Sequence, residues 1–346
     1  MNNRDLWVDY SKAIGIVLVV YGHVAHGICK AGLPVDMKSY LLIDSVIYAF
    51  HIPLFFFLSG LYFFRSLEKY GSVGLLVNKI DAIIYPYLVW SILQGSVEVV
   101  FSKLTHHPVT FSDVFSSMLW GTKTHLWFLY ALFFIFFLAI LLYRKRSKPY
   151  CFIVLSIACV VFVHQDYLPK TIFLKYIFSY FVFFALGVFC KEFRNIIEAH
   201  LYRWTILSFV FFLSYQYIYH NILHLTYTDI GIPLLVLSVI SILFIISFSS
   251  LICRKPSKII LLIGSNSMTI YLMHVLSYSG ARIVLCNLFK IRNFSVHVVV
   301  GTLAGVIAPL VAVYLFRLLR INFLYIMPRL LSAEVFYKKI SHAKLP

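Results

Sequence analysis

Stretches of apolar residues long enough to cross a lipid bilayer recur along this sequence from one end to the other. A transmembrane helix needs roughly 20 mostly apolar residues, because the hydrocarbon core is about 30 Å thick and a helix rises about 1.5 Å per residue. Of the 346 residues, 61% are hydrophobic and 12% are charged, whereas soluble domains are about 45–50% apolar and about 25% charged. The sequence therefore predicts an all-α, polytopic helix bundle embedded in a membrane.

Ten such stretches can be distinguished, so we expect about ten transmembrane helices. They lie near residues 13–29, 40–62, 80–101, 126–143, 150–164, 172–190, 203–219, 230–252, 259–281 and 295–316. No long polar stretch separates them, and together they occupy the chain from about residue 9 to 320. We expect a single membrane-embedded domain over residues 1–346, with a cytoplasmic tail at 321–346 and no fused extracytoplasmic domain.

The formal net charge of +17 would suit a nucleic-acid-binding protein, but its distribution is typical of a membrane protein. With ten spans, 21 of the 30 Lys and Arg residues fall on the side of the N-terminus and 9 fall on the other side. Basic residues accumulate on the cytoplasmic side of membrane proteins. We therefore expect a multi-pass membrane protein, in contact with membrane lipid, with both termini cytoplasmic and no nucleic-acid partner.

A lysine and a histidine share one face of the first predicted helix. His23 follows Lys12 by eleven residues, which at about 100° per residue is three turns plus roughly 20°. The rise between the two residues is about 16 Å. Asp9 precedes Lys12 by three residues, so the two can pair. This spacing suits a long anionic molecule with a reactive tip, such as acyl-coenzyme A; the alternatives are snorkelling of Lys12 to the interface and a packing role for His23.

Other histidines and aromatic residues lie at further predicted spans. His51 opens a segment of the second span, and His125 and Trp127 lie at the rim of the fourth, where belt residues are common. Tyr271 and His274 belong to one polar stripe of the ninth span, and such a stripe is expected to face the bundle. Neither the histidines nor the six cysteines have metal-ligand spacing, so we expect no metal.

Five motifs occur in order between residue 5 and about residue 276. They are DYSK…GIVLVVYGH, FHIPLFFFLSG, KIDAIIYPYLVW, HLWFLYALF and GSNSMTIYLMH. Together they resemble the membrane acyltransferase-3 family, and within it the fucose 4-O-acetylase-like polysaccharide O-acetyltransferases. The family's first-span motif is a basic residue, ten intervening residues and a histidine, which here are Lys12 and His23. Asp81 stands close to Lys79 in the third motif, where the family tends to be richer in Arg and Lys.

The resemblance implies transfer of an acyl group, usually acetyl, from cytoplasmic acyl-coenzyme A to a hydroxyl of a cell-surface glycan or its lipid-linked precursor. It also implies that the membrane is the inner membrane of a bacterium. We expect Lys12, helped by Lys79 and Arg65, to hold the nucleotide end of acetyl-coenzyme A. His23 is expected to act as general base on the acceptor hydroxyl. In a variant of this mechanism, His23 first accepts the acyl group covalently and then passes it on. Asp9 is expected to orient Lys12.

The acceptor side is predicted to be lined by five residues that the sequence does not rank individually. They are His51, His125, Trp127, Tyr271 and His274. A separate extracytoplasmic partner that completes the transfer is also compatible with the sequence. Two other classes stay open: a transporter or flippase for a polysaccharide or lipid-linked sugar, and a non-catalytic membrane subunit.

Overall fold

The computed structural model describes residues 5–101, 110–120, 125–169, 171–190 and 200–337. Within these ranges the chain is helical and has no β-strand. The helices are α1 (Leu6–Lys30), α2 (Met37–Tyr48), α3 (His51–Leu61), α4 (Phe63–Lys79), α5 (Tyr85–Phe101), α6 (Phe111–Trp120), α7 (Trp127–Leu142), α8 (Lys148–Val163), α9 (Ile172–Phe189), α10 (Leu201–Tyr217), α11 (Ile232–Ile252), α12 (Lys258–Ser265), α13 (Ser267–Ile283) and α14 (Phe294–Leu318).

Each of the ten predicted spans overlaps a helix, which confirms the all-α membrane class. In the described part of the chain, six helical stretches are long and apolar enough to cross a bilayer: Leu6–Lys30, Met37–Leu61, Phe63–Val100, Ile232–Ile252, Ser267–Leu288 and Phe294–Leu318. Three shorter apolar helices accompany them: Trp127–Leu142, Lys148–Val163 and Leu174–Phe189. The number of ten spans, the side on which the termini lie and the single domain stay predictions.

The chain divides into two compact units. The first consists of Met1–Ser59 and Cys190–Tyr314, and the second of Gly60–Phe189 and Leu315–Pro346. The first unit therefore holds α1, α2 and α10–α13, with most of α3 and α14. The second unit holds α4–α9 and the C-terminal segment.

Helix α1 is the centre of the first unit and packs against α2, α11, α12 and α13. Small residues allow a further helix to approach it closely. Gly301 and Gly305 of α14 are one turn apart, and a Cβ at either position would overlap the side chain of Val24 or Val20 of α1. Membrane helices gain no hydrophobic free energy by associating, because lipid tails are as apolar as their side chains. Close van der Waals packing of this kind is therefore what holds them together. The packing fixes which faces of α1 are turned toward α13 and α14.

The second unit has an aromatic core between α4, α7 and α9. The ring centroids of Phe136 and Phe184 lie 5.2 Å apart, and Phe63 lies 5.6 Å from Phe184. A Cβ at Gly60 would overlap the backbone of Phe184, so only glycine permits this approach. Gly60 is thus a small residue at which two helices approach closely.

Candidate active site

Two histidines from distant parts of the chain meet in the first unit. His23 on α1 is half-buried and His274 on α13 is fully buried. Their ring centroids are 5.0 Å apart, with the ring planes inclined by 47°. Both residues are predicted from the sequence as site residues, and the structure places them side by side.

The backbone of α13 fixes the tautomer of His274. Its Nδ1 atom lies 2.7 Å from the carbonyl oxygen of Tyr271. Because a carbonyl can only accept a hydrogen bond, Nδ1 carries the proton, and Nε2 is the basic nitrogen of the neutral ring. The rings of Tyr271 and Tyr278 flank His274 at 5.8 and 6.2 Å. In the structure, the polar stripe predicted for this span therefore consists of His274 with the rings of Tyr271 and Tyr278 beside it.

Lys12 and His23 lie on one uninterrupted helix. Since α1 runs from Leu6 to Lys30 as regular α-helix, the face shared by the two residues and the rise of about 16 Å follow from its geometry. Lys12 is half-buried and Asp9 is 4% exposed. The backbone of Asp9 is in close contact with Gly264 of α12. The roles of Asp9 and Lys12 stay predictions.

A second polar cluster lies one turn further along α1, and sequence reasoning missed it. His26 Nε2 is 2.9 Å from Asp44 Oδ1, and His26 Nδ1 is 3.1 Å from the hydroxyl of Tyr48. The side chain of Asp44 is 6% exposed and that of His26 is 28% exposed. The sequence does contain one indication of this cluster, namely Asp44, because a carboxylate inside an apolar span needs a partner or a role.

His51 is part of the wall behind this second cluster. It is 2% exposed, and its Nδ1 atom lies 2.7 Å from the carbonyl oxygen of Ile47. Its ring meets the ring of Tyr48 edge-on at 4.6 Å. His51 therefore supports Tyr48 from within α3, and its predicted contact with the acceptor stays a prediction.

Four of the predicted site residues belong to the second unit. Lys79 is the last residue of α4, and its Nζ atom lies 4.2 Å from the ring centroid of the buried Phe136. Arg65, near the start of α4, is exposed. His125 is half-buried in the turn before α7. Trp127, the first residue of α7, stacks on Tyr176 with centroids 4.5 Å apart. Their proposed parts in binding stay predictions.

Asp81, beside Lys79, has hydrogen-bond partners in the C-terminal segment. Its carboxylate accepts from the hydroxyl of Ser332 at 2.6 Å and from the backbone N–H groups of Ala333 and Glu334 at 3.0 and 3.1 Å. Asn78 also donates to the Glu334 carboxylate at 2.9 Å. Asp81 thus caps a helical turn at 333–337, which gives this acidic residue a structural role in the second unit.

Among the described residues, no group of three or more His, Cys, Asp or Glu side chains could hold a metal ion. The pair His26 and Asp44 supplies two such groups only, and both ring nitrogens of His26 already have partners. The described part of the chain offers paired imidazoles and tyrosine hydroxyls inside apolar helices. Such groups can move a proton and bind hydroxyls.

The apolar helices and these buried titratable groups define a multi-pass membrane protein with a polar site within a helix bundle. A family model described as an acyltransferase domain matches residues 5–317. The chain therefore belongs to the acyltransferase-3 family. This confirms the resemblance that the five motifs carry.

One curated relative is the nodulation protein NolL of Mesorhizobium japonicum (strain LMG 29417 / CECT 9101 / MAFF 303099). It is 26% identical over 234 residues, which cover 64% of this chain and 60% of the relative. The matched region thus spans less than two thirds of that protein. No solved structure matches this chain significantly.

Proposed function

We propose that this protein moves an acetyl group from acetyl-coenzyme A to a hydroxyl of a glycan or of its lipid-linked precursor. The observation that supports it best is the contact between His23 of α1 and His274 of α13, because α1 also carries Lys12. One helix then joins a cation for the phosphates of the donor to a base for the acceptor. The family membership supplies the acyl-transfer chemistry.

His23 acts as general base in this proposal. It takes the proton from the acceptor hydroxyl as the hydroxyl oxygen attacks the thioester carbonyl carbon. A C–O bond forms, the C–S bond breaks, and the coenzyme thiolate receives the proton that His23 holds. The products are the O-acetyl ester and free coenzyme A, and the protein returns to its starting state.

His274 positions the base. Its own ring is held by the Tyr271 carbonyl, and it packs against the ring of His23 at 5.0 Å. A ring that is fixed on one side restricts the rotation of its neighbour. The imidazole of His23 is then kept in one orientation, as a general base requires.

Lys12 binds the anionic end of the donor about 16 Å from His23. A lysine is a compact cation that can approach phosphate oxygens from several directions. Asp9 orients Lys12. Lys79 and Arg65 belong to the second unit, and the donor contact expected of them stays a prediction. In the proposed orientation, with the N-terminus cytoplasmic, the pantetheine arm runs along α1 away from the cytoplasm.

The test is acyl transfer by the full chain purified in detergent micelles. Radiolabelled acetyl-coenzyme A is supplied with a panel of methyl glycosides, and labelled sugar ester is measured. We expect His23→Ala to lower kcat by about 100-fold or more, because a positioned general base contributes about 10²–10⁴-fold. A burst of free coenzyme A without acceptor would instead indicate a covalent acyl-histidine.

His220→Gln is the matched control. His220 is half-buried in the first unit, and its two ring nitrogens are bonded to Gln216 Oε1 and to the carbonyl oxygen of Leu225, both at 3.0 Å. Its replacement should leave transfer unchanged. The proposal is wrong if folded His23→Ala protein transfers acetyl at the normal rate, or if the protein moves a sugar across vesicles and never acylates it.

A further inference from the structure

The His26 cluster, which consists of His26, Asp44 and Tyr48 with Tyr40 and Tyr227, has no part in the acyl transfer described above. Asp44 lies within an apolar helical stretch and is almost fully buried. A carboxylate in such a place is expensive unless it is paired, and the imidazole of His26 at 2.9 Å pairs with it. The cluster is therefore a built polar site inside the first unit.

The hydrogen-bond directions of the cluster follow from its chemistry. An ionised Asp44 can only accept, so His26 Nε2 carries a proton and donates it. The other ring nitrogen, Nδ1, shares a hydrogen bond with the hydroxyl of Tyr48 at 3.1 Å. The hydroxyl oxygen of Tyr48 and the carboxylate of Asp44 can each accept a further hydrogen bond.

Acceptor groups of this kind select for ligands that donate hydrogen bonds. None of the five residues of the cluster is a lysine or arginine, the nearby Arg282 donates to the carbonyl of Gly27, and the carboxylate of Asp44 would repel an anion. A neutral ligand with several hydroxyl groups can donate to both the Tyr48 oxygen and the Asp44 carboxylate. Among cell-envelope molecules, a sugar ring has this chemistry.

Aromatic rings surround the polar groups. Tyr48 stacks on the His26 ring at 4.8 Å, Tyr40 meets that ring edge-on at 6.1 Å, and Tyr227 lies 5.1 Å from Tyr48. Tyr40, Tyr48 and Tyr227 are half-buried, so part of each side chain is accessible. Large, rigid rings beside fixed hydrogen-bonding groups are the usual make-up of a small-molecule site.

The surrounding helices hold these rings in place. A Cβ at Gly22 of α1 would overlap the ring of Tyr48, so the glycine lets Tyr48 lie directly against the helix. Ser45 Oγ accepts a hydrogen bond of 2.8 Å from the backbone N–H of Tyr227. The site is therefore shaped before any ligand arrives.

We propose that the His26 cluster is the subsite that binds the sugar acceptor. His26 follows His23 by three residues on α1, a rise of about 4.5 Å. A sugar held at the cluster by one hydroxyl can thus present another hydroxyl to His23. Tyr48 and Asp44 contact the sugar, and His26 positions both of them. This inference rests on the proposed function for its choice of acceptor.

Binding of sugar without any acyl donor tests the subsite directly. Saturation-transfer NMR is recorded on the full chain in detergent micelles with a panel of methyl glycosides. We expect at least one glycoside to bind the unaltered protein, and Asp44→Asn and Tyr48→Phe each to weaken that binding by about tenfold. His220→Gln, the control outside the cluster, should bind as the unaltered protein does.

Asp44→Asn keeps the shape of the side chain and an oxygen that can accept from His26, so it tests the charge even if Tyr48→Phe fails to fold. The subsite is refuted if no glycoside binds the unaltered protein. It is also refuted if folded Asp44→Asn protein binds the glycoside with unchanged affinity.

Acetyl transfer measured in parallel separates this inference from the proposed function. If the variants lose sugar binding and the unaltered protein never transfers acetyl, the subsite stands and the proposed function falls. If transfer occurs and Asp44→Asn leaves the KM for the sugar unchanged, the function stands and the subsite falls. A raised sugar KM with an unchanged KM for acetyl-coenzyme A supports both.

Discussion

At the scale of single residues, the location of protons decides what the first unit can do. The Tyr271 carbonyl fixes one proton on Nδ1 of His274, and Asp44 fixes another on Nε2 of His26. Two histidines on neighbouring faces of α1, His23 and His26, thus have different surroundings. One packs against an imidazole and the other against a carboxylate, which is why we assign them different roles.

Lys12 gives a prediction about the donor. Lys12→Gln should raise the KM for acetyl-coenzyme A by about tenfold, because a charge-assisted contact with phosphate is lost, and leave the KM for the sugar unchanged. Lys12→Arg keeps the charge and should restore most of the affinity. Steady-state kinetics with each substrate varied in turn measures both effects. An unchanged donor KM for Lys12→Gln would mean that the phosphates bind elsewhere.

Sequence periodicity was sufficient to align Lys12 with His23, because both residues lie on one helix. It could not show that His23 meets His274, since that contact depends on how α1 packs against α13. Asp44 was overlooked because its partner, His26, lies on another helix. Pair contacts between distant segments are set by packing, and one sequence without its relatives does not report them.

At the scale of elements, breaks within predicted spans determine where side chains point. The span predicted near 259–281 is two helices, α12 and α13, separated at Asn266, whose side chain donates to the Leu262 carbonyl at 2.8 Å. Asn and Ser compete with helical hydrogen bonds in this way. The third predicted span begins with a π-helical turn, Ile80–Ile84, just before Pro86, which has no N–H to donate. Hydropathy alone does not detect such breaks.

Gly60 gives a prediction about helix packing. Gly60→Ala should lower the free energy of unfolding by about 1–3 kcal/mol, because the added Cβ would overlap the backbone of Phe184. Thermal unfolding in detergent micelles measures the effect. Gly280→Ala on α13 is the matched control, since nothing lies within 4 Å of its added Cβ, and its stability should be unchanged or slightly higher. Equal stability of the two variants would contradict the close approach at Gly60.

At the scale of the whole molecule, the distribution of charge orients the chain in the membrane. The 21 basic residues on one side and 9 on the other predict that both termini are cytoplasmic. This orientation places Lys12 on the side where acyl-coenzyme A is made. The direction of acyl transfer across the bilayer therefore depends on it.

Fusions to the full chain test this orientation. Green fluorescent protein joined to the C-terminus should fluoresce, and alkaline phosphatase joined at the same position should be inactive, because the two reporters mature on opposite sides of a bacterial inner membrane. An epitope inserted between residues 102 and 109, in the loop predicted to be outside, should be accessible on intact spheroplasts, with an epitope at the C-terminus as the control that is reached only after lysis. Phosphatase activity at the C-terminus, together with an epitope between residues 102 and 109 that is reached only after lysis, would reverse the predicted orientation. Lys12 would then lie outside, where no acyl-coenzyme A is available, and the donor path along α1 would have to be abandoned even if the His23 chemistry held.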